Sequence, residues 1–201
     1  RRVLAVEASA HYVRYARAIA RRWNLSTEHV RFEHCSALHA LDAVKTRYTG
    51  PVEWILVNFP TPFASTNWGD HSANDHLPRG VESADFMANA EFLAAARDCL
   101  AARGGEGKLL LQSNVEDVAV TLRCMAEAHG FAAVEDGSLG AEVAESVPPA
   151  RAVEDTAWLP RRQLSYAKSG GARAAGSGWL ATSPLPRGAT SETENYYMHS
   201  G

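Results

Sequence analysis

WILVNFPTPFAS, residues 54 to 65, begins as a buried strand and ends at two prolines. Its first six residues are mostly apolar without clean alternation, which is typical of a strand covered on both faces in a parallel sheet. Pro60 and Pro62 flank Thr61, and together they remove two amide donors and hold the backbone extended. The chain must therefore leave the sheet here in a fixed direction, and a rigid exit at a sheet edge can hold a flat ligand.

Strand patterns and helix patterns alternate along the chain on both sides of this segment. Each strand candidate is followed by a segment that reads as a helix. The predicted strands are residues 3–7, 30–34, 52–59 and 107–114, and the predicted helices follow Ser9, cover 37–48, follow Ser83 and begin near Val115. This alternation predicts an α/β fold with a mostly parallel sheet and helices on both faces.

Two of these helices carry apolar residues whose spacing predicts a buried face. In the first helix, with Ser9 as its N-cap, the predicted inner residues are Tyr12, Val13, Ala16, Ile19, Ala20 and Trp23. In the helix after Ser83, which the pair Gly104 and Gly105 ends, they are Phe86, Ala90, Leu93, Ala94 and Leu100.

Composition changes along the chain and predicts three parts. Residues 1–135 carry the strand and helix patterns and form the predicted core domain. Residues 136–177 are rich in proline, glycine, alanine and serine, as in "SGGARAAGSG", and are predicted to be a flexible insertion or linker. Residues 178–201 form a polar C-terminal segment. Within the core, residues 60–80 show no periodicity, and a loop of that length is usually functional.

Composition also limits the class of protein. The chain has 201 residues, 46% of them hydrophobic and 21% charged, which is ordinary for a globular domain. No apolar run is long enough for a membrane helix and no cleavable leader is evident, so we expect an intracellular protein without a membrane partner, in cytoplasm, nucleus or an organelle. The net charge of −3 is not that of a typical nucleic-acid binder. No cysteine or histidine spacing predicts a metal site.

Ligands of open α/β sheets bind beyond the carboxyl ends of the strands. Glu7 ends the first predicted strand, and a carboxylate there can accept hydrogen bonds from both hydroxyls of a ribose. An ordinary solvated glutamate is the alternative. After the second strand, Ser36 and Ala37 would place a small polar group and a backbone amide near a bound base.

Taken in order, these segments resemble the tRNA (guanine-N7) methyltransferases of the TrmB type, which are class I enzymes that use S-adenosylmethionine. The family has a strand-end acid before an aromatic-rich helix, a short polar pair after the next strand, an F-P-D-P corner, a strand ending in Thr-Asp and a late T-x-x-E segment. The corresponding stretches here are AVEASAHYVRYARAIARRW (5–23), EHVRFEHCSAL (28–38), NFPTPF (58–63), LLLQSNVEDVAVTLRCM (109–125) and ATSETENYYMHSG (189–201).

The resemblance implies a Rossmann-like methyltransferase fold whose first and last strands lie outside this sequence. It implies S-adenosylmethionine as cofactor and tRNA as partner, with a non-catalytic protein subunit as a second partner. Thr61 takes the catalytic position. The implied cofactor-binding residues are Glu7, Ala8, Ser36, Ala37, Asn58, Phe59, Thr190 and Glu192. The implied substrate-binding residues are Pro62, Phe63, Arg79, Asn114, Ser191 and Glu194.

The chain departs from the family at positions that matter for the acceptor. Thr61 and Asn114 stand where the family has acids, and the basic run expected after the corner is reduced to Arg79. Two alternatives therefore stay open beside guanine-N7 methylation. One is a catalytically inactive binding or scaffold protein, and the other is a methyltransferase with a different acceptor.

Overall fold

The structure, a computed structural model, describes residues 2–60, 86–113, 116–134, 174, 178 and 179. Four strands and four helices alternate within these ranges, which confirms the predicted α/β class. The elements are β1 (Val3–Glu7), α1 (Ala10–Arg22), β2 (Val30–His34), α2 (Ala37–Arg47), β3 (Trp54–Asn58), α3 (Ala90–Ala102), β4 (Lys108–Gln112) and α4 (Glu116–Ala128).

The described strands form two two-stranded sheets. β1 and β2 are parallel, with Val3 opposite Val30 and Glu7 opposite His34. β3 pairs with β4, and the amide of Lys108 donates to the Glu53 carbonyl at 2.9 Å. Each strand is only five residues long, and each two-stranded sheet needs a packed helix to be stable.

The contacts divide the chain into two units. The first comprises Arg1–Ile55 and Glu91–Leu109, and the second comprises Leu56–Ala90 and Leu110–Gly201. The buried apolar residues described in the first unit are Val13, Ala40, Leu41, Phe92, Leu93, Ala96, Cys99 and Leu100. Those described in the second unit are Val57, Phe86, Ala88, Val118, Leu122 and Ala126.

The buried residues of α1 differ from those predicted for its inner face. Of the six residues proposed for that face, only Val13 is buried, while Tyr12 and Trp23 are 63% and 67% exposed. At 100° per residue these two lie about 80° to 100° around the helix from Val13, at the margin of the face that contacts β1 and β2. The prediction that Tyr12 and Trp23 are core residues is therefore wrong. Ser9 is the N-cap as predicted, although its side chain makes no capping hydrogen bond.

Helix α3 begins later than predicted. It starts at Ala90, so Phe86 lies outside the helix, although its side chain is fully buried. Asn89 directly precedes the first helical residue, and asparagine is among the residues that most favour a helix start. The predicted end is confirmed: the helix stops at Ala102, and Gly105, with φ of +76°, donates its amide to the Leu100 carbonyl at 2.9 Å.

The C-terminal ends of α2 and α3 are linked within the first unit. Arg103 donates to the Lys45 carbonyl, and the Lys45 ammonium lies 3.7 Å from the Asp98 carboxylate. Burial raises the pKa of the neighbouring Cys99 thiol, with Arg103 and Lys45 acting in the opposite direction. Cys99 is fully buried, so its thiol stays protonated at neutral pH and serves as a packing group.

Gly107, just before β4, lies where no side chain fits. A Cβ there would meet the Val52 carbonyl oxygen and the Leu100 side chain. Because a backbone oxygen cannot turn away, we expect Gly107→Ala to lower the free energy of unfolding by about 1–3 kcal/mol in urea denaturation.

Gly50→Ala is the matched control for Gly107→Ala. Its added methyl would meet only the ring and hydroxyl of Tyr48, which can rotate. The Gly50 variant should therefore lose much less stability. Equal losses of stability in the two variants would contradict the close approach of Gly107 to the Val52 carbonyl oxygen.

Candidate functional site

The carboxyl ends of β1 and β2 meet at one edge of the parallel pair, in the first unit. Glu7 and His34, the last residues of the two strands, are register partners. The loop into α1 leaves from Glu7, and the loop into α2 leaves from His34. Ala8, Ser36 and Ala37 therefore follow from the same edge, as the sequence predicted.

Glu7 presents an exposed carboxylate at this edge. Its Oε1 accepts a hydrogen bond from the Ser9 amide at 2.8 Å. This bond holds the side chain over the loop that leads into α1. A carboxylate has about four acceptor positions, so the bond to Ser9 leaves Glu7 with capacity to accept from hydroxyl groups of a ligand.

His34 ties the two loops together, and sequence reasoning did not single it out. Its Nε2 lies 2.9 Å from the Ala8 carbonyl oxygen. Since a carbonyl can only accept, Nε2 carries the proton and donates it. The signal that could have found His34 is its position: it is the last residue of β2, where a side chain can reach the end of the neighbouring parallel strand.

Ser36 and Ala37 begin α2. Ser36 is the N-cap, and its Oγ accepts from the His39 amide at 3.2 Å. Ala37 is the first helical residue, and amides of the first turn have no carbonyl partner within their own helix. The Ser36 hydroxyl therefore has a structural function already, and the backbone amides of this turn are the donors that the loop can offer to a ligand.

The proline corner at the end of β3 belongs to the second unit. Asn58 is exposed, Phe59 is half-buried and Pro60 is buried. Phe59 has φ of +51°, a left-handed conformation that is strained for a bulky residue, and its amide donates to the Gln112 carbonyl at 2.8 Å. Strain of this kind clusters at ligand sites, because the surrounding structure must enforce it.

The start of the predicted C-terminal segment is also described. The Arg123 guanidinium of α4 lies 5.1 Å from the centre of the Trp179 ring and donates to Glu127 at 2.9 Å. Gly178, with φ of +82°, lies close to Ala133. The boundaries predicted near residues 135 and 177 stay predictions.

The remaining predicted site residues lie outside the described ranges. They are Thr61, Pro62, Phe63, Arg79, Asn114, Thr190, Ser191, Glu192 and Glu194. The structure thus describes two groups of the predicted cofactor-binding residues, each in its own unit. Glu7, Ala8, Ser36 and Ala37 belong to the first unit, and Asn58 and Phe59 belong to the second.

The part of the chain that the structure describes holds neither a cluster of metal ligands nor a membrane-spanning helix. No three or more histidine, cysteine, aspartate or glutamate side chains there are grouped so that they could hold a metal ion. None of the described helices has the length and apolar character needed to cross a membrane.

Comparison with known proteins identifies no family for this chain. The chain matches no protein-family model, no characterised protein and no solved structure. The function of the chain is therefore inferred from its residues and their arrangement.

Proposed function

We propose that this chain is an S-adenosylmethionine-dependent methyltransferase with a Rossmann-like fold, of the type that methylates guanine N7 in tRNA or a diverged relative of it. The observation that carries the proposal is the end of β1. Glu7 lies there with an exposed carboxylate, opposite His34 at the end of the parallel strand β2, and α2 begins three residues after His34.

The residues at this edge fit the nucleoside part of the cofactor. A ribose offers two vicinal hydroxyl donors, and Glu7 is a carboxylate acceptor fixed by the Ser9 amide at 2.8 Å. An adenine edge offers acceptors, and the first turn of α2 from Ala37 offers backbone amides. The site thus has an acceptor group and a donor group of the right chemical kinds, each fixed by local hydrogen bonds.

S-adenosylmethionine, when bound, supplies an electrophilic methyl group on sulfur. Guanine N7 would accept this methyl group with a neutral lone pair, the carbon–sulfur bond breaking as the new bond forms, so no proton would have to be removed first. The task left to the protein is to align acceptor and methyl group and to exclude competing orientations. A general base is therefore not required of this chain.

The corner after β3 is the proposed acceptor-binding segment. Phe59 and Pro60 follow β3 directly, and the strained φ of Phe59 is a backbone feature of the kind that clusters at ligand sites. In the resembled family the next residue is an acid, which can accept from guanine N1 and N2 and favour the positive charge that develops on the purine. Thr61 offers one hydroxyl and no charge.

Thr61→Asp tests the acceptor assignment. We expect the native chain to transfer methyl groups to tRNA slowly and the aspartate variant to transfer them faster, because the new carboxylate stabilises charge in the transition state. Tritium incorporation from methyl-labelled S-adenosylmethionine measures the rate. Nucleoside mass spectrometry of the product identifies the methylated atom. Thr49→Asp, a surface change outside the corner, is the control.

The neutral residues Thr61 and Asn114 specifically favour the second candidate, an inactive methyltransferase-like binding protein. Such a protein would bind the cofactor at the same residues as the methyltransferase but would transfer no methyl group. Cofactor binding with no transfer by either the native chain or Thr61→Asp would favour it. Transfer to a small molecule or protein and none to tRNA would instead indicate a changed acceptor.

A further inference from the structure

One side-chain hydrogen bond joins the end of β2 to the loop between β1 and α1. His34 is the last residue of β2, and its Nε2 donates to the Ala8 carbonyl oxygen at 2.9 Å. Ala8 directly precedes Ser9, the N-cap of α1. A carbonyl before the N-cap takes no part in the hydrogen bonds of the helix. The Ala8 carbonyl is therefore bonded from the neighbouring strand instead.

The Ala8 carbonyl and the Ser9 amide belong to one peptide group. Such a group is planar and trans, so its C=O and its N–H point in opposite directions and turn together. His34 bonds the carbonyl at 2.9 Å, and the amide donates to Glu7 Oε1 at 2.8 Å. The His34 ring and the Glu7 carboxylate are thus connected through a single rigid plane, and each hydrogen bond polarises that group in favour of the other.

The backbone that carries the His34 ring is held on both sides. The strand that ends at His34 is paired along its length with β1. Arg17 of α1 donates from Nε to the Phe32 carbonyl at 2.9 Å, and Ser36 caps α2 two residues after His34. A side chain on a fixed strand end can therefore restrain the loop that it bonds.

We propose that His34 is a positioning residue of the cofactor site, which holds the Glu7 carboxylate in its ribose-binding orientation through the Ala8–Ser9 peptide group. That the ligand is a nucleoside cofactor rests on the proposed function, whereas the orientation of Glu7 rests on the two hydrogen bonds. An acceptor that is already ordered before the ligand arrives loses less freedom on binding, which raises affinity. His34 thus acts on the ligand through Glu7.

Two amide substitutions separate the hydrogen bond from the other properties of the imidazole ring. The side-chain nitrogen of glutamine lies about as far from the backbone as Nε2 of histidine and can donate to Ala8, whereas asparagine is shorter by a methylene and cannot reach. In calorimetric titration of the full chain with S-adenosylmethionine, we expect His34→Asn to weaken binding about two- to tenfold, the effect of one hydrogen bond. His34→Gln should restore the native affinity.

The control for His34→Asn is His29→Asn, which changes an exposed histidine just before the start of β2. It should leave the affinity for S-adenosylmethionine unchanged. His34, Ala8 and Glu7 are themselves exposed, so water replaces the lost bond and His34→Asn should change the free energy of unfolding little. Rescue by glutamine and not by asparagine would support the proposal, and equal affinity of the native chain and His34→Asn would overturn it.

Coupling to Glu7 is a result that a merely structural role of His34 would not produce. In the Glu7→Gln background the charged acceptor is gone, so its orientation matters less. We therefore expect His34→Asn to weaken S-adenosylmethionine binding by less than about twofold there. Equal effects of His34→Asn in the two backgrounds would show that it acts independently of Glu7 and would overturn the proposal.

NMR of the ligand-free chain distinguishes failure of this proposal from failure of the proposed function. The Ser9 amide proton should exchange with solvent about two- to tenfold faster in His34→Asn than in the native chain or in His34→Gln, because its bond to Glu7 opens more often. Faster exchange in a chain that binds no S-adenosylmethionine would reject the methyltransferase and retain His34 as the residue that orients Glu7. Unchanged exchange in His34→Asn would overturn the proposal, whatever the titration shows.

Discussion

Glu7→Gln should weaken S-adenosylmethionine binding about 10- to 100-fold. A hydrogen bond to a charged acceptor contributes about 1.5–3 kcal/mol, and every 1.4 kcal/mol is a factor of ten in affinity. Glutamine keeps one side-chain oxygen, so it can still accept from the Ser9 amide, which Glu7 does at 2.8 Å. The variant therefore removes the charge and the second acceptor oxygen without removing the bond that shapes the loop.

Calorimetric titration of both proteins measures this difference, and Glu28→Gln is the control. Glu28 is an exposed glutamate between α1 and β2. Its replacement makes the same change in net charge away from the strand ends. Equal affinity of the Glu7 and Glu28 variants would mean that Glu7 is an ordinary surface glutamate.

Phe86→Ala should lower the free energy of unfolding by about 3–5 kcal/mol, the largest effect on stability that we expect for one substitution. The Phe86 side chain is fully buried in the second unit. Removing it takes away the transfer free energy of a ring and leaves a cavity that the surroundings fill only in part. Such a loss is a large share of the stability of a small protein.

The neighbouring residue provides the control for Phe86. Met87 is 49% exposed, so Met87→Ala removes far less buried surface and should cost less than about 1 kcal/mol. Urea denaturation compares the free energies of unfolding of the two variants, provided that the dependence on urea concentration has the same slope in both. A Phe86 variant no less stable than the Met87 variant would show that Phe86 does not contribute to the core.

Three strand positions were predictable from the sequence because β1, β3 and β4 are short, mostly apolar runs with a polar end, whereas β2 alternates apolar and polar residues. β1 and β2 have the predicted bounds, and β3 and β4 lie within the predicted ranges. The inner face of α1 was not predictable in full. Spacing gives one side of a helix, but whether Tyr12 and Trp23 at its margin are covered depends on how wide the strands beneath it are.

The start of α3 shows a second limit of sequence patterns. Phe86 continues the helical spacing of Leu93 and Leu100, and its burial is real, but its backbone is not helical. An apolar residue just before a helix can pack against the same core as the helix itself. The spacing of apolar residues indicates which of them are buried. The start of the helix is better indicated by Asn89, a residue type that favours helix starts.

The sequence predicted those candidate-site residues whose place in the fold marks them as candidates. Glu7 and Ser36 were found because parallel strands present their carboxyl ends at one edge. His34 and the left-handed Phe59 were not found. A bond between Nε2 and the Ala8 carbonyl, 26 residues away, depends on strand register, and a φ of +51° depends on the tertiary structure that enforces it.

The most direct test of this account is calorimetric titration of the native chain with S-adenosylmethionine. We expect saturable binding of one molecule per chain, and affinity that falls in Glu7→Gln and not in Glu28→Gln. No heat of binding from the folded native chain, at cofactor concentrations up to the millimolar range that enzymes commonly need, would contradict the account.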